Sequence, residues 1–589
     1  MKQLDTSNYV VEEIPSKFGN ISKISADKIF CVGEHAVHVQ LQPLPNPRIL
    51  WLNKRVMHED PQFTLLDNDE EKYSKHLLAA CGYIVAEGTN SDDSPNTIGH
   101  ADRYGGIGIG NNGGSGRAAI VNGYLVKGIG KTPLIGVTAN PMHASGGAYL
   151  EECVRESIFA EIIGMEFPRS AIPTIAIIDT GITQNWPGDY FGPLSERRVL
   201  LVRRCMLRPA HFERAPLFHS SNSKEGSLDF SRVKHVGRES ARIFGRKLII
   251  SQLSEFFSAW SCQLAYAYIH RISPSGNSTS NICFDGQLLD FGACSALPSW
   301  AQINMIPGSP PTGGEFQTLV ESAKSLSYYF GRCFDLSLSE PDVVNKIILR
   351  AREKYDETLL REALRVFGLS RDNAETMLKG NDISRLTAAI NIVLSYYKGE
   401  RFDIYSHTPQ PDRSWDVTSL WDENPPSHLA PLKKIFSEID INKKTCEARS
   451  TFLSKSRPLL YREELKSHLH EELSKLDISS QHAPQAIDNL MCKVIANSRR
   501  DTKKEISRMQ NVGFAVASNF SIAIYKSEDD KSYSGVVEWA SKKYMEIFSK
   551  EFPDWHDSFC LKLSSWTEKE ISFGEQGKFK LECSVSLFE

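Results

Sequence analysis

The chain has 589 residues, of which 41% are hydrophobic and 24% charged, with a formal net charge of −4. This is an ordinary globular composition, long enough for roughly two to four domains, and its near-neutral balance excludes a global pull toward nucleic acid or an acidic membrane. Twelve cysteines are scattered with no C-x-x-C pair, which argues against a disulfide framework or a zinc site and for a reduced compartment. No apolar run approaches the ~20 residues of a membrane span, and Met1-Lys2-Gln3-Leu4-Asp5 opens no signal-peptide core. The expectation is a cytoplasmic protein with no membrane insertion.

Residues 1–100 form an N-terminal mixed region. Short strands are predicted between Ile21 and Gln40 and over Arg48–Leu52. A helix is predicted over Glu71–Ala86, where Tyr73, Leu77, Leu78 and Cys81 fall at helical spacing. Glu87–Pro95 reads as a polar loop. Residues 101–330 carry the chemistry. They hold a glycine turn at Gly113–Arg117, the apolar segment Ala118–Val121, a turn at Asn122-Gly123, and Tyr124–Lys127. A helix over Glu151–Gly164, strands over Ala171–Ile178 and Arg198–Val202, and helices over Leu248–Ile269 and Glu315–Phe330 follow. Residues 331–589 read as mainly helical, with candidates at 342–355, 357–367, 371–379, 384–397, 433–439, 462–476 and 484–497, and a Pro- and Trp-containing linker near 407–430. The basic run from Arg499 to Lys504 is short and mixed with an acid. It reads as a solvated helix face and not a nucleic-acid site.

Two glycine motifs match familiar patterns by letter only. Gly108-Ile109-Gly110-Asn111-Asn112-Gly113 is not followed by the helix that a dinucleotide fold requires. Gly128-Ile129-Gly130-Lys131-Thr132 ends like a phosphate-binding P-loop, but the first glycine would have to stand at Leu125. What survives is a glycine turn able to approach phosphate closely, ending in Arg117. Lys127 at a strand end, followed by Glu156 on a helix, has the order of a kinase-like clamp, in which a glutamate orients the lysine on phosphates. Glu161 is a rival on the same helix. Asp290-Phe291-Gly292 supplies a metal-binding aspartate, and Asn281, nine residues earlier, an amide ligand. Both are hard oxygen ligands of the kind Mg2+ takes beside phosphate oxygens. The acidic base of a kinase catalytic loop is missing: His270-Arg271 runs into Ile272-Ser273-Pro274, and Ser280 precedes Asn281.

At these residues the chain resembles the selenoprotein-O family, pseudokinases that transfer AMP from ATP to protein hydroxyls. The resemblance rests on Gly114-Ser115-Gly116-Arg117-Ala118, on Lys127-Gly128-Ile129-Gly130-Lys131-Thr132-Pro133 and on Ser145-Gly146 through Arg155-Glu156. It continues through Ile172-Pro173-Thr174, Arg203 to Glu213, and Asn281 with Asp290, covering about residues 100–300. It implies an α+β, protein-kinase-like bilobal fold with a helical C-terminal extension. It also implies that Gly114, Gly116, Arg117, Ser145 and Gly146 contact the nucleotide, that Lys127 holds a phosphate and that Glu156 orients the lysine. Arg208, with Arg203 or Arg204, would hold the triphosphate in the family's reversed orientation, and Asn281 and Asp290 would bind Mg2+. The chain departs from the pattern at Ser145, where the family has Asp, and at Ser280, where the family has its base. The family's C-terminal cysteine pair is absent; Cys583 stands alone, and Cys294 follows Asp-Phe-Gly.

The expected activity is ATP- and Mg2+-dependent AMP transfer to a hydroxyl of a protein substrate. Because a carboxylate is already ionised at pH 7 and needs no base, adenylation of a peptide C-terminal carboxylate is the alternative. That reaction would serve a ligase maturing a peptide natural product such as a microcin, with a partner acyltransferase subunit. A non-catalytic ATP-binding scaffold is the third reading.

Overall fold

The computed structural model describes residues 35–500 apart from 87–96, 107–108, 138–143, 187–193, 220–228, 275, 298–301, 305–309, 381, 399–400, 404–416, 442 and 455. Beyond 500 it describes the strand backbones at 509–516, 520–527, 533–539, 542–548, 570–572 and 578–580. The expectations for residues 21–34, for the loop 87–95, for Gly108, for Lys503 and Lys504, and for Cys583 lie outside the described residues.

Nine strands build one antiparallel sheet. They are β1 (Ala36–Pro43), β2 (Arg48–Leu52), β3 (Tyr83–Val85), β4 (Thr97–Asp102), β5 (Ala118–Val121), β6 (Tyr124–Lys127), β7 (Ala148–Tyr149), β8 (Ala176–Trp186) and β9 (Leu194–Arg204). Their order is β2-β8-β9-β6-β5-β4-β1-β3, with β7 paired to β9. Residue 100 lies inside β4, so the strands of the N-terminal region and those of the chemical region share one sheet. The hairpin β5–β6 turns at Asn122 and Gly123, whose φ values of 47° and 86° suit a two-residue turn matched to strand twist. The predicted strand at Ala171 begins only at Ala176; before it, Ala171 makes an isolated bridge to Leu288 and the Ile172 and Ile175 amides donate to the carbonyls of Leu288 and Val202.

After the short helices Lys54–Met57 and Pro61–Leu65, the helices are α1 (Glu70–Cys81), α2 (Leu150–Glu166), α3 (Asp229–Phe244), α4 (Arg246–His270), α5 (Phe316–Cys333), α6 (Pro341–Val366), α7 (Arg371–Leu378) and α8 (Ile383–Tyr397). They continue with α9 (Ala430–Phe436), α10 (Lys443–Ser454), α11 (Arg462–Ser474) and α12 (Ala483–Ser498). α1 starts where Asp69 accepts from the amides of Glu71 and Lys72, and it buries Tyr73, Leu77 and Cys81. The two helices predicted on either side of Asp356 are one, because no glycine or proline there interrupts the pattern. α3 has no counterpart among the predicted elements. Neither has the four-stranded antiparallel sheet of Met509–Val516, Phe520–Ser527, Tyr533–Trp539 and Lys542–Phe548, so among the described residues the last helix ends at Ser498 and strands follow it. The whole is an α+β arrangement with a helical C-terminal region.

α2 is buried almost all round, and Arg155, Glu156, Glu161 and Glu166 are buried along with its apolar residues. Its Val154, Ile158 and Ile162 share one core with Leu201 of β9, Phe257 and Trp260 of α4, Leu465 and Leu469 of α11, and Ile487 and Met491 of α12. Its C-terminal residue Glu166 receives Arg457 Nη1 at 2.8 Å and the Arg500 backbone amide at 2.8 Å. Trp51 Nε1 of β2 donates to Asp488 of α12 at 3.0 Å. The C-terminal helices therefore brace the helix that carries Glu156. The described end of the basic run is not a solvated face: Arg500 is buried, and its Nη2 donates to the Ser456 carbonyl at 2.8 Å. No helix of the described residues is long and apolar enough to cross a membrane.

Candidate functional site

Strand alternation decides which side chains of β6 and β9 meet α2. Tyr124 and Val126 join the core on one face of the sheet, whereas Leu125 joins the α2 core on the other. Lys127, two residues after Leu125, therefore faces α2. In the antiparallel register Leu125 stands opposite Arg203 and Tyr124 opposite Arg204. Directly opposed residues share a face. Arg203 thus points toward α2, and Arg204 toward the opposite side, where it meets Glu59 at 3.4 Å.

On α2, Glu152 and Glu156 are one turn apart and present both carboxylates to β6. Lys127 Nζ lies 2.6 Å from Glu156 Oε2, 3.2 Å from Glu152 Oε1 and 3.8 Å from Asp290 Oδ1. Arg203 Nη2 reaches Glu156 Oε1 at 2.5 Å. Arg117 grips Glu152 with both terminal nitrogens, at 2.6 and 3.1 Å, and Nη1 also donates to the Gly147 carbonyl at 3.1 Å. Three cations thus face three carboxylates. Glu156 is fully buried, whereas the Asp290 side chain keeps 48% of its surface open to solvent while still close to these charges. Burial alone would lower the Lys127 pKa, but Glu152 and Glu156 hold it well above its ordinary value. Burial would raise the Glu152 and Asp290 carboxyls; Lys127 and Arg117 hold both below the usual carboxylate range. Glu161, the rival glutamate, is taken by Arg55 at 2.6 Å and Asn53 at 2.7 Å and is not near Lys127. Glu152 was not among the predicted site residues; its spacing of four from Glu156 is the signal that could have found it.

Asp290 is held in the left-handed region at φ 62°, a conformation that costs a non-glycine residue energy and recurs at functional sites. Its arm is tied to that of Asn281, because the Leu289 amide donates to the Asn281 carbonyl at 3.0 Å and Ile282 bridges to Leu288. The loop before Asn281 offers hydroxyls: Ser280 Oγ and Ser278 Oγ are 2.8 Å apart, and Thr279 Oγ1 donates to Glu213. Arg208 is buried, and Asp290 is among the charges that act on it. Its Nη1 donates to the Ser280 carbonyl at 2.9 Å, and its guanidinium lies 4.6 Å over the Tyr104 ring. The Arg208 amide donates to His211 Nδ1 at 2.9 Å, and His211 Nε2 bonds Asp102 at 2.9 Å. Asp102 also accepts from Ser115 Oγ, which anchors the glycine turn to the Arg208 segment.

The glycines have a packing reason. Gly114 has φ 142°, and a Cβ there would fall 2.3 Å from the Asp102 carbonyl. A Cβ on Gly146 would fall 2.1 Å from Gly130 and Lys131 backbone atoms, and φ there is 74°. A Cβ on Gly116 would fall 2.6 Å from the Ile135 side chain. Ser145 Oγ bonds the Tyr149 hydroxyl at 2.8 Å and accepts from the Gly147 amide at 3.1 Å, which shapes the start of α2.

Lys127, Glu156, Arg203, Arg117 and Asp290 are thus brought together, Asn281 is joined by a backbone hydrogen bond to Leu289, the residue before Asp290, Arg208 supports the loop before Asn281, and Arg204 is elsewhere. No family model and no curated protein matches the chain.

Proposed function

We propose that the chain is a kinase-like, ATP-binding nucleotidyltransferase of the selenoprotein-O type that transfers AMP to a hydroxyl of a protein substrate. The observation that carries this reading is the 2.6 Å pairing of Lys127 on a strand with Glu156 on a buried helix, with Asp290 3.8 Å from the same ammonium. A lysine fixed this way is a positioned cation for a phosphate. Arg117 and Arg203 add two guanidinium groups, suited to planar, two-point recognition of phosphate oxygens. Asp290 would be the carboxylate ligand of a magnesium ion, since its side chain is half open to solvent, and Asn281, tied to the same arm through the Leu289 amide, would be a second; Mg2+ takes its remaining ligands from phosphates and water. When bound, the ion would neutralise phosphate charge. The chain's own groups hold the phosphates, orient them and keep Lys127 protonated.

One observation favours a second reading. The loop before Asn281 presents Ser278, Thr279 and Ser280 and no carboxylate, so a hydroxyl acceptor finds no base in that loop. An acceptor that is already ionised, a peptide C-terminal carboxylate, needs none. The product, an acyl-adenylate, would pass to a partner acyltransferase-type subunit.

Incubation with alpha-labelled ATP and Mg2+, alone, with protein substrates, and with peptides plus hydroxylamine separates the readings. Stable label on protein is the result expected for hydroxyl transfer. A hydroxylamine-trapped peptide with AMP release means carboxylate adenylation. ATP binding without turnover means a scaffold. Activity unchanged in both Lys127→Ala and Asp290→Ala would overturn the site.

A further inference from the structure

Arg117 and Lys127 are the less buried cations of the cluster, more exposed than Arg203, and Glu152 already occupies both. Its carboxylate takes Arg117 in a two-point pairing at 2.6 and 3.1 Å and Lys127 at 3.2 Å. A two-point carboxylate on a guanidinium has the same donor geometry as a phosphate on that guanidinium. Glu152 lies in the first turn of α2, where the helix dipole favours an anion, and is itself mostly buried. Two things in the structure make the carboxylate replaceable. Arg117 has a second anchor in the Gly147 carbonyl, and Lys127 has one in Glu156 at 2.6 Å. Neither cation would lose its position if Glu152 withdrew.

We propose that Glu152 is an internal anion that fills the phosphate position between Arg117 and Lys127 in the empty site, and that an incoming polyphosphate must displace it. Glu152 is then a residue that sets affinity. It keeps the clamp neutral and disfavours weakly charged phosphate compounds, so that only a strongly charged chain such as a nucleoside triphosphate competes for the two cations. The inference rests on the nucleotide reading only in naming ATP as the natural occupant.

Calorimetric titration of the full chain with ATP and with inorganic tripolyphosphate, each with Mg2+, tests it in wild type and in Glu152→Gln. Removing one negative charge within hydrogen-bond distance of both cations should tighten tripolyphosphate binding at least ~10-fold, with a steeper loss on added salt. If Glu152 instead serves to hold Arg117 in place, the same change weakens binding, and equal or weaker binding by a folded Glu152→Gln protein overturns the proposal. Glu152→Ser provides a second variant; unfolding of both variants means a structural role and overturns it too. A gain for tripolyphosphate with no ATP binding in either protein leaves Glu152 as proposed and removes the nucleotide reading. ATP binding by wild type with no gain in Glu152→Gln does the reverse.

Discussion

Arg203 Nη2 lies 2.5 Å from Glu156 Oε1, inside the sheet–helix interface where both side chains are buried. Lys127 occupies the other carboxylate oxygen, so Glu156 links β6, β9 and α2 through one group. Its neighbour Arg204 faces away. Arg203→Ala should therefore leave a buried carboxylate short of a partner and cost about 3–5 kcal/mol. Arg204→Ala, whose partner Glu59 is partly exposed, should cost less than ~1 kcal/mol. Urea unfolding of the two variants checks the difference, and equal losses would contradict the assignment of Arg203.

Asp290 is different in kind. Its side chain is half exposed and 3.8 Å from its nearest cation, so Asp290→Asn should change stability by under ~1 kcal/mol. The same variant should weaken binding of ATP with Mg2+ by roughly 10- to 100-fold, the usual loss for a charged ligand contact. Thermal melting with and without ATP and Mg2+ reads both effects. A large drop in stability without ligand would mean that Asp290 is structural.

The Asp102 carboxyl sets a pH dependence. Burial would raise its pKa, but His211 and Arg208 bring it from 3.8 to about 2. A carboxyl depressed in the folded state contributes stability that is fully present above its unfolded pKa and lost as pH falls. Its contribution of about 2 kcal/mol should therefore disappear between about pH 4 and pH 2. Asp102→Asn should flatten this part of the acid limb in a pH series of urea midpoints. An unchanged acid limb would contradict the assignment.

Arg457 ties the C-terminal helices to α2 through Glu166, at 2.8 Å, with both side chains buried. Arg457→Ala should destabilise the chain by about 3–5 kcal/mol and weaken ATP binding, because α2 carries Glu156, which fixes Lys127. Hydrogen exchange along 150–166 should rise in the variant. Protection there equal to wild type would show that the C-terminal helices do not brace the site.

Much of the local structure was legible. The lysine at the end of Tyr124–Lys127, the Asn122-Gly123 turn and the helix around Glu156 follow from strand apolarity, turn chemistry and 3.6-residue spacing. Helix α3 carries a signal of the same kind, since Val233, Val236 and Ser240 recur at helical spacing along Asp229–Phe244 and are buried. The basic run at Arg499–Arg500 misleads for another reason: charge in sequence marks a solvated face unless a partner such as Glu166 is supplied by a distant segment.

The sequence by itself determined the Asn122-Gly123 hairpin and the helix around Glu156, which depend on turn residues and local periodicity, and the order of the lysine, glutamate, asparagine and aspartate along the chain. Only the tertiary structure decided between Arg203 and Arg204, because the register of β6 against β9 places one on each face of the sheet. It likewise gave Glu161 to Arg55 and Glu156 to Lys127. It also brought Glu152 onto Arg117 and Lys127, a contact between side chains 25 to 35 residues apart that depends on how α2 packs over the sheet.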